Sequence, residues 1–236
     1  MRTSQTKDHG LRHNLKSLLL PSGRSVRTIQ TGILAGLAMD LDFAHDTQRW
    51  LGLQEKELNE WFRRLSGGIR TAVDVGASDG LYTLYFLAKT SAQRVFAFEP
   101  ASDSIMRMKK NLALNGFEND PRLVLVTQMA GAPASGQSVT LESFLDNIQF
   151  PCLIKVDIDG GEVSLLEGAR KLLASMAARW IIEVHSPHLQ EQCLEILRLA
   201  NYRTVVVRNA WWRHLIPELR PGDLNQWIVA TPREPS

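Results

Sequence analysis

Cysteine is scarce in this chain: 236 residues carry 2, Cys152 and Cys193, with no metal-ligand spacing between them. That speaks for a reduced, cytoplasmic protein with two plain buried thiols. No apolar run approaches the roughly 18 residues that cross a bilayer. The longest candidate near the start, LKSLLLP, stops at Pro21 and has no small-residue cleavage site, so a secretory leader is not expected. Internal repeats and low-complexity tracts are absent as well. What remains is ordinary for a globular chain, 44% hydrophobic and 22% charged. The length suits one α/β domain with short additions.

Charge of one sign is also missing, but the net +2 hides an asymmetry. Residues 1–27 hold Arg2, Lys7, Arg12, Lys16, Arg24 and Arg27 against Asp8, a balance of +5, which leaves 21 basic against 24 acidic residues elsewhere. The body therefore has no basic footprint for nucleic acid. The basic start, dotted with Leu11, Leu15, Leu18 and Leu19, suits peripheral contact with an acidic membrane surface or a partner, or is a loosely ordered extension.

Hydrophobic periodicity orders the rest. GLAMDLDF puts Leu37, Met39, Leu41 and Phe43 on one face and Ala38, Asp40 and Asp42 on the other, a small β-hairpin pattern. LQEKELNEWFRRL spaces Leu53, Leu58, Trp61, Phe62 and Leu65 as a helix that Gly67 and Gly68 end. Strand-like runs then follow at 71–76, 94–100, 122–128, 152–158, 179–185, 202–209 and 226–232. Helical segments fall at 80–91, 102–115, 140–148, 161–175 and 188–200. Near-continuous apolar strands alternating with helices define a doubly wound, mostly parallel sheet. The last two runs lack a helix between them and read as an antiparallel pair. The expected organisation is a tail at 1–26, a hairpin and helix packed on the core at 27–66, and the main domain at 67–236.

The stretch TAVDVGASDGLYTLYFLA combines a strand, a tight turn and a helix N-terminus, the standard elements of a nucleotide site. The dinucleotide fingerprint G-x-G-x-x-G is lacking, because only Gly76 and Gly80 flank Ala77, Ser78 and Asp79. Asp74 and Asp79 would repel a pyrophosphate and suit a sulfonium with an ammonium group. Glu99, 23 positions after Gly76, can accept both hydroxyls of a ribose. These features favour S-adenosyl-L-methionine over NAD or FAD.

VDVGASDGLYTLYF, with FAFEPAS, NLALNG, VTLESFL, IKVDIDGGEVSLLEGA and IIEVH, resembles the FkbM-type family of S-adenosylmethionine-dependent methyltransferases from about residue 30 to residue 186. VDVGASDG alone would indicate only a class I methyltransferase; IKVDIDGGE, LLEGA and IIEVH are more specific. The family's Asp-x-Glu-Gly-x-Glu pattern carries Asp159 at its middle acid here, and Gly161 stands where Ala is commoner. The segment between Ala130 and Thr140 is short for the family. The resemblance implies O-methylation of a hydroxyl on a small molecule, sugar or lipid. It also implies a seven-stranded Rossmann-like sheet of order 3-2-1-4-5-7-6. Gly76, Ala77, Asp79 and Gly80 would surround the methionine part of the cofactor, Glu99 would hold its ribose, and Gln128, Met129 and Ala130 would lie near its adenine.

Methyl transfer to a hydroxyl requires alignment and a base. Lys155 and Asp157 share one strand face, as do Glu183 and His185. Parallel neighbours would allow two layers, a buried Lys155–Glu183 pair and, at the strand ends, Asp157 beside His185. His185 is then the candidate general base, with Asp157 orienting it or contacting the donor's amino end. Tyr82 is placed beside the cofactor, and His188 on the first turn of the next helix. Asp157, Asp159 and Glu162 form an alternative Mg²⁺ set, although turn formation, capping and helix-dipole complementation account for acids there equally. No metal is assigned. Trp211 and Trp212 suit a ring of the acceptor, or packing. N- or C-methylation and a non-catalytic cofactor-binding scaffold are the competing readings, and association with a second copy is left open.

Overall fold

A short hairpin comes first, β1 (Arg24–Thr28) antiparallel to β2 (Ala38–Asp42). The computed structural model describes residues 23–132, 138–214 and 226–233, so most of the basic tail lies outside the described residues. Met39 and Leu41 are fully buried, as the alternation of GLAMDLDF requires. Asp40, expected on the open face, is buried too, because Arg24 and Lys110 close on its carboxylate at 3.2 and 2.9 Å.

The main sheet contains β3 (Thr71–Val75), β4 (Arg94–Phe98), β5 (Leu123–Val126), β8 (Cys152–Val156), β9 (Ala178–Val184), β10 (Tyr202–Val207) and β11 (Gln226–Pro232). Two-residue strands, β6 (Met129–Ala130) and β7 (Ser138–Val139), form a separate pair. The sheet order is β10-β11-β9-β8-β3-β4-β5, parallel except for β11, which runs against both neighbours. Counted along the seven strand runs, this is 3-2-1-4-5-7-6. The fold is the expected Rossmann-like α/β sheet.

Alternation along the strands sorts side chains onto two faces. One face buries Ala72, Leu153 and Ile181 against Phe62, Phe86 and the hairpin's Met39 and Leu41. The other buries Val73, Ile154, Trp180 and Ile182 against Leu166, Leu172 and Leu197. Each large side chain so enclosed contributes about 1.5–3 kcal/mol. Asp74, Lys155 and Glu183 occupy alternate positions on the first face, and all three are buried. Three ionisable groups inside an apolar layer require partners.

Two expected helices are interrupted. The 53–65 segment is a 3-10 turn at Lys56–Leu58 followed by an α-helix at Asn59–Leu65, because Glu55 adopts the left-handed conformation at φ 45°. The 161–175 segment divides into Glu162–Glu167 and Arg170–Ala174. A helix at Thr47–Leu51 was not anticipated; Gly52 ends it at φ 72°. Cys152 and Cys193 are free and buried, and burial pushes both thiols up to about 12. Among the described residues no helix is long and apolar enough to cross a membrane.

Candidate active site

The carboxyl ends of β3, β4 and β8 open into a cavity of about 680 Å³. Its floor is the turn after β3. Gly76 has φ 78°, and a Cβ there would overlap the carbonyl oxygen of Asp157, so only glycine lets this turn lie against the end of β8. The N–H groups of Gly76 and Ala77 both donate to the Phe98 carbonyl at 3.0 Å, which fixes the turn to β4.

Glu99 sits on the wall with 8% of its surface exposed. One carboxylate oxygen accepts from the Ser78 N–H and the other from the Ala101 N–H, each at 2.8 Å. Those bonds hold the group still while each oxygen keeps a further lone pair for a ligand hydroxyl. Gln128, Met129 and Ala130 line the same cavity, as do Gly76, Ala77, Asp79, Tyr82 and Asp157.

Asp74 and Gly80 stand behind the wall. Asp74 accepts from the Thr83 hydroxyl at 2.6 Å, and burial raises its carboxyl to about 7. It is not among the lining residues, so it does not present its carboxylate to the cavity as its place before Gly76 suggests. Gly80, at φ 90°, faces the Met108 side chain. Asp79 does line the cavity, but Arg49 pairs with its Oδ2, so the expected acidity of the turn is half neutralised.

The roof comes from residues 45–55, of which His45, Asp46, Arg49, Gln54 and Glu55 line the cavity. Arg213, only 6% exposed, ties this segment down. It donates to Gln48 at 3.0 Å, to the Leu53 carbonyl at 2.7 Å and to both Glu57 oxygens at 2.8 and 2.6 Å. Trp212 stacks its ring on the same guanidinium at 4.2 Å, whereas Trp211 is 77% exposed.

Lys155 is the hub beneath the roof. Its Nζ lies 3.3 Å from Glu183, 3.6 Å from Asp157 and 3.6 Å from Glu55, and 5.3 Å from the Tyr82 ring centre. The Tyr82 hydroxyl donates to Glu55 at 2.6 Å. The Lys155–Glu183 pair thus forms, but the two separate layers do not. Lys155 is level with Ile181 in the parallel register, so its long side chain reaches forward to both Glu183 and Asp157.

His185 lies beyond the end of β9, outside the cavity lining. Its Nδ1 is 2.7 Å from Glu162 Oε1, and its Nε2 is 3.1 Å from Asp159 and 3.8 Å from Asp157. The orienting carboxylate is therefore Glu162, which is fully buried, and not Asp157. The Glu162 bond raises the imidazole pKa above its ordinary value; burial opposes this, and the charges of Glu183, Asp157 and Glu162 add to it. Of the acids weighed for a cation, the structure gathers Asp157 with Glu183 and His185, ligand atoms within 4.8 Å, and the Lys155 ammonium already lies between the two carboxylates. His188 falls in the first turn of the Pro187–Leu199 helix.

Arg49 and Glu55 escaped the sequence reading. An unbroken helix over 53–65 would turn Glu55 to solvent, and nothing in DTQRWL marks Arg49.

This sheet order and the glycine turn after its first strand define the class: the chain has the fold of S-adenosylmethionine-dependent methyltransferases. Within that class, residues 133–206 match the family described as the Methyltransferase FkbM domain. The crystal structure of methyltransferase FkbM from Methylobacillus flagellatus KT is similar at a TM-score of 0.54 and 20% identity over 69% of this chain. The chain spans 43% of the length of that relative. A ribosomal protein L11 methylase from Lactobacillus delbrueckii subsp. bulgaricus (TM-score 0.51, 14% identity, 78% of this chain and 81% of that one) shares the fold. So does an rRNA methylase from Streptococcus thermophilus (0.50, 14%, 75% and 95%). No curated protein matches the sequence. The family match spans IKVDIDGGE and IIEVH, so the FkbM-type resemblance is borne out over this part of the chain.

Proposed function

We propose that this protein methylates a hydroxyl oxygen of a small molecule, saccharide or lipid, using S-adenosyl-L-methionine held in the cavity above β3 and β4. The chamber has the size and mixed polarity of a small-ligand site. Gly76 and Ala77 would lie under the ligand, Glu99 would accept the ribose hydroxyls, and Gln128, Met129 and Ala130 would flank the adenine. Asp79, Tyr82 and Asp157 would face the methionine end. Bound there, S-adenosylmethionine supplies an electrophilic methyl carbon on a sulfonium. We read 67–236 as the catalytic domain and 27–66 as its cover.

The observation that carries the oxygen as target is the His185–Glu162 pair. The Glu162 carboxylate accepts the Nδ1 proton at 2.7 Å, which leaves Nε2 as the basic nitrogen and stabilises the imidazolium once it forms. Nε2 points to the rim made by Asp157 and the 91% exposed side chain of Asp159. An acceptor hydroxyl displacing Asp159 there would give its proton to Nε2 as its oxygen attacks. The lining holds six carboxylates, Asp46, Glu55, Asp79, Glu99, Asp157 and Asp159, and one guanidinium, that of Arg49. Six carboxylates against Arg49 and the buried Lys155 beneath Glu55 and Asp157 leave the lining acidic and disfavour a polyanionic acceptor such as nucleic acid.

Calorimetry with S-adenosylhomocysteine beside NADH, repeated on Glu99→Ala, tests the cofactor. The expected result is binding of the former alone, weakened in the variant. Binding of neither would leave a non-catalytic scaffold. S-adenosylmethionine with a ¹³C-labelled methyl then distinguishes the target atom, since the product's methyl shift separates O- from N- and C-methylation.

A further inference from the structure

Five of the six parallel strands begin at an arginine. Arg70 immediately precedes β3, Arg94 opens β4, Arg122 precedes β5, and Arg179 and Arg203 are the second residues of β9 and β10. The register sets these strand starts side by side: Arg94 is level with Thr71, Leu123 with Val95, and Arg179 with Leu153. Neighbouring strands lie about 4.8 Å apart, so the row crosses the seven-stranded sheet over about 30 Å. It runs along the amino end of the sheet, whereas the cavity opens at the carboxyl ends. Beyond residue 27 the chain is close to balanced, with 21 basic and 24 acidic residues. The fold sorts that balance, bringing acids to the cavity and arginines to the far end.

Two of these arginines serve the protein itself. Arg122 pairs with Asp120 at 2.8 Å and donates to the Leu87 carbonyl at 3.0 Å, and Arg179 donates to the Gly67 carbonyl at 3.0 Å. Both carbonyls lie at or just past the end of a helix, where a cation is favoured. Arg70, Arg94 and Arg203 are exposed, and their side chains have no carboxylate or carbonyl partner among the described residues. Glu118 and Asp146 also reach this end, but Arg64, Lys89 and Arg233 outnumber them before the row is counted. Apolar side chains flank the row. The helices Ser102–Leu114 and Pro187–Leu199 run back against the strands on opposite faces of the sheet and finish here, with Leu114 38% and Leu199 71% exposed.

We infer that the amino end of the sheet is a docking face for an anionic phospholipid membrane, with Arg70, Arg94 and Arg203 at the headgroups and Leu114 and Leu199 entering the interface on either side. Basic charge spread across a broad end and interleaved with exposed leucine is the composition of an interfacial surface. A nucleic acid strand is instead followed by a groove and stacked on aromatic side chains. Docked in this way, the cavity faces away from the bilayer, so its ligands enter from the aqueous side. The inference stands apart from the methyltransferase reading, because none of these residues lines the cavity.

Flotation of the full chain with phosphatidylcholine vesicles, alone and mixed with phosphatidylserine, tests the face. Binding is expected only to the mixed vesicles, and it should fall as salt rises. Each arginine at such a surface is worth about fivefold in affinity, so Arg70→Gln combined with Arg94→Gln should bind about 30-fold more weakly. Lys56→Gln combined with Lys109→Gln removes as much exposed charge from the roof and a helix flank. That variant should bind as the wild type does, since charges more than about 10 Å from the surface are screened. An equal loss in both variants reduces the effect to net charge and overturns the inference. Undiminished binding by the Arg70 and Arg94 variant hands the membrane contact to the basic tail and also overturns it. Equal binding to both kinds of vesicle, or RNA bound with the mixed vesicles left unbound, does the same.

Discussion

His185 Nδ1 lies 2.7 Å from Glu162 Oε1, on a carboxylate with no exposed surface. The two residues belong to different crossover units, one ending β9 and the other opening the Glu162–Glu167 helix. Their bond raises the imidazole pKa. The neutral form is the base, so turnover should climb with pH and level off only above the ordinary histidine value of 6.5. Glu162→Gln removes the largest raising influence and should move that limb to lower pH. His185→Gln should cut turnover by roughly 10²–10⁴-fold. S-adenosylhomocysteine affinity should be unchanged in His185→Gln, because His185 does not line the cavity. A pH–rate profile with a known acceptor checks both, and full turnover in His185→Gln would remove the imidazole from the chemistry.

Lys155 is completely buried among Glu55, Asp157 and Glu183. Replacing it by methionine strands buried carboxylates, a change that costs about 3–5 kcal/mol. Lys155→Met should therefore melt well below the wild type. Adding Glu183→Gln to that variant should restore part of the loss, since one of the stranded charges is gone. Differential scanning calorimetry of the two proteins measures the recovery.

Arg213 contacts the cavity nowhere, yet it holds Gln48, Leu53 and Glu57. In Arg213→Met the amides of residues 47–57 should exchange faster while those of β3 and β8 keep their protection. S-adenosylhomocysteine should bind about tenfold more weakly, the order of a lost charge-assisted contact passed on through the roof. Unchanged exchange in 47–57 would mean that packing alone seats the segment.

Burial raises Asp74 to about 7 in the folded chain, from 3.8 as its ordinary value. Between those limits the unfolded chain has lost the proton and the folded chain has kept it. The contribution of Asp74 to stability is thus fully present below about pH 4 and declines as pH rises through 7. Asp74→Asn retains a neutral partner for Thr83. Its melting temperature should gain on that of the wild type as pH goes from 4 to 8, by about 2–4 °C for each kcal/mol relieved. Melting curves across that range give the difference directly.

The sheet was legible because its strands are buried on both faces and stand out as apolar runs. All seven runs match strands to within two residues at either end. The turn VDVGASDG, with Glu99 on the next strand, was legible for the same local reason. What could not be read was the roof. Glu55 enters the site only because its own backbone turns left-handed, against the helical pattern around it. Arg49 acquires its place from a tertiary pairing with Asp79. The register that sets Lys155 level with Ile181 is likewise decided between strands, so the carboxylate that Lys155 meets could be named while the layering could not.

The reversed strand β11 lies between β9 and β10, with Trp227 opposite Glu183. On a ribosome the chain makes β9, then β10, and only afterwards the strand that joins them. Until β11 arrives, the edge of β9 stays open and Glu183 lacks its cross-strand neighbour Trp227. The five strands from β9 to β5 can pair in the order they are made or by crossover, whereas β10 joins the sheet only through β11. The buried charges around Lys155 therefore gain their neighbour on that side from the strand made last of the seven.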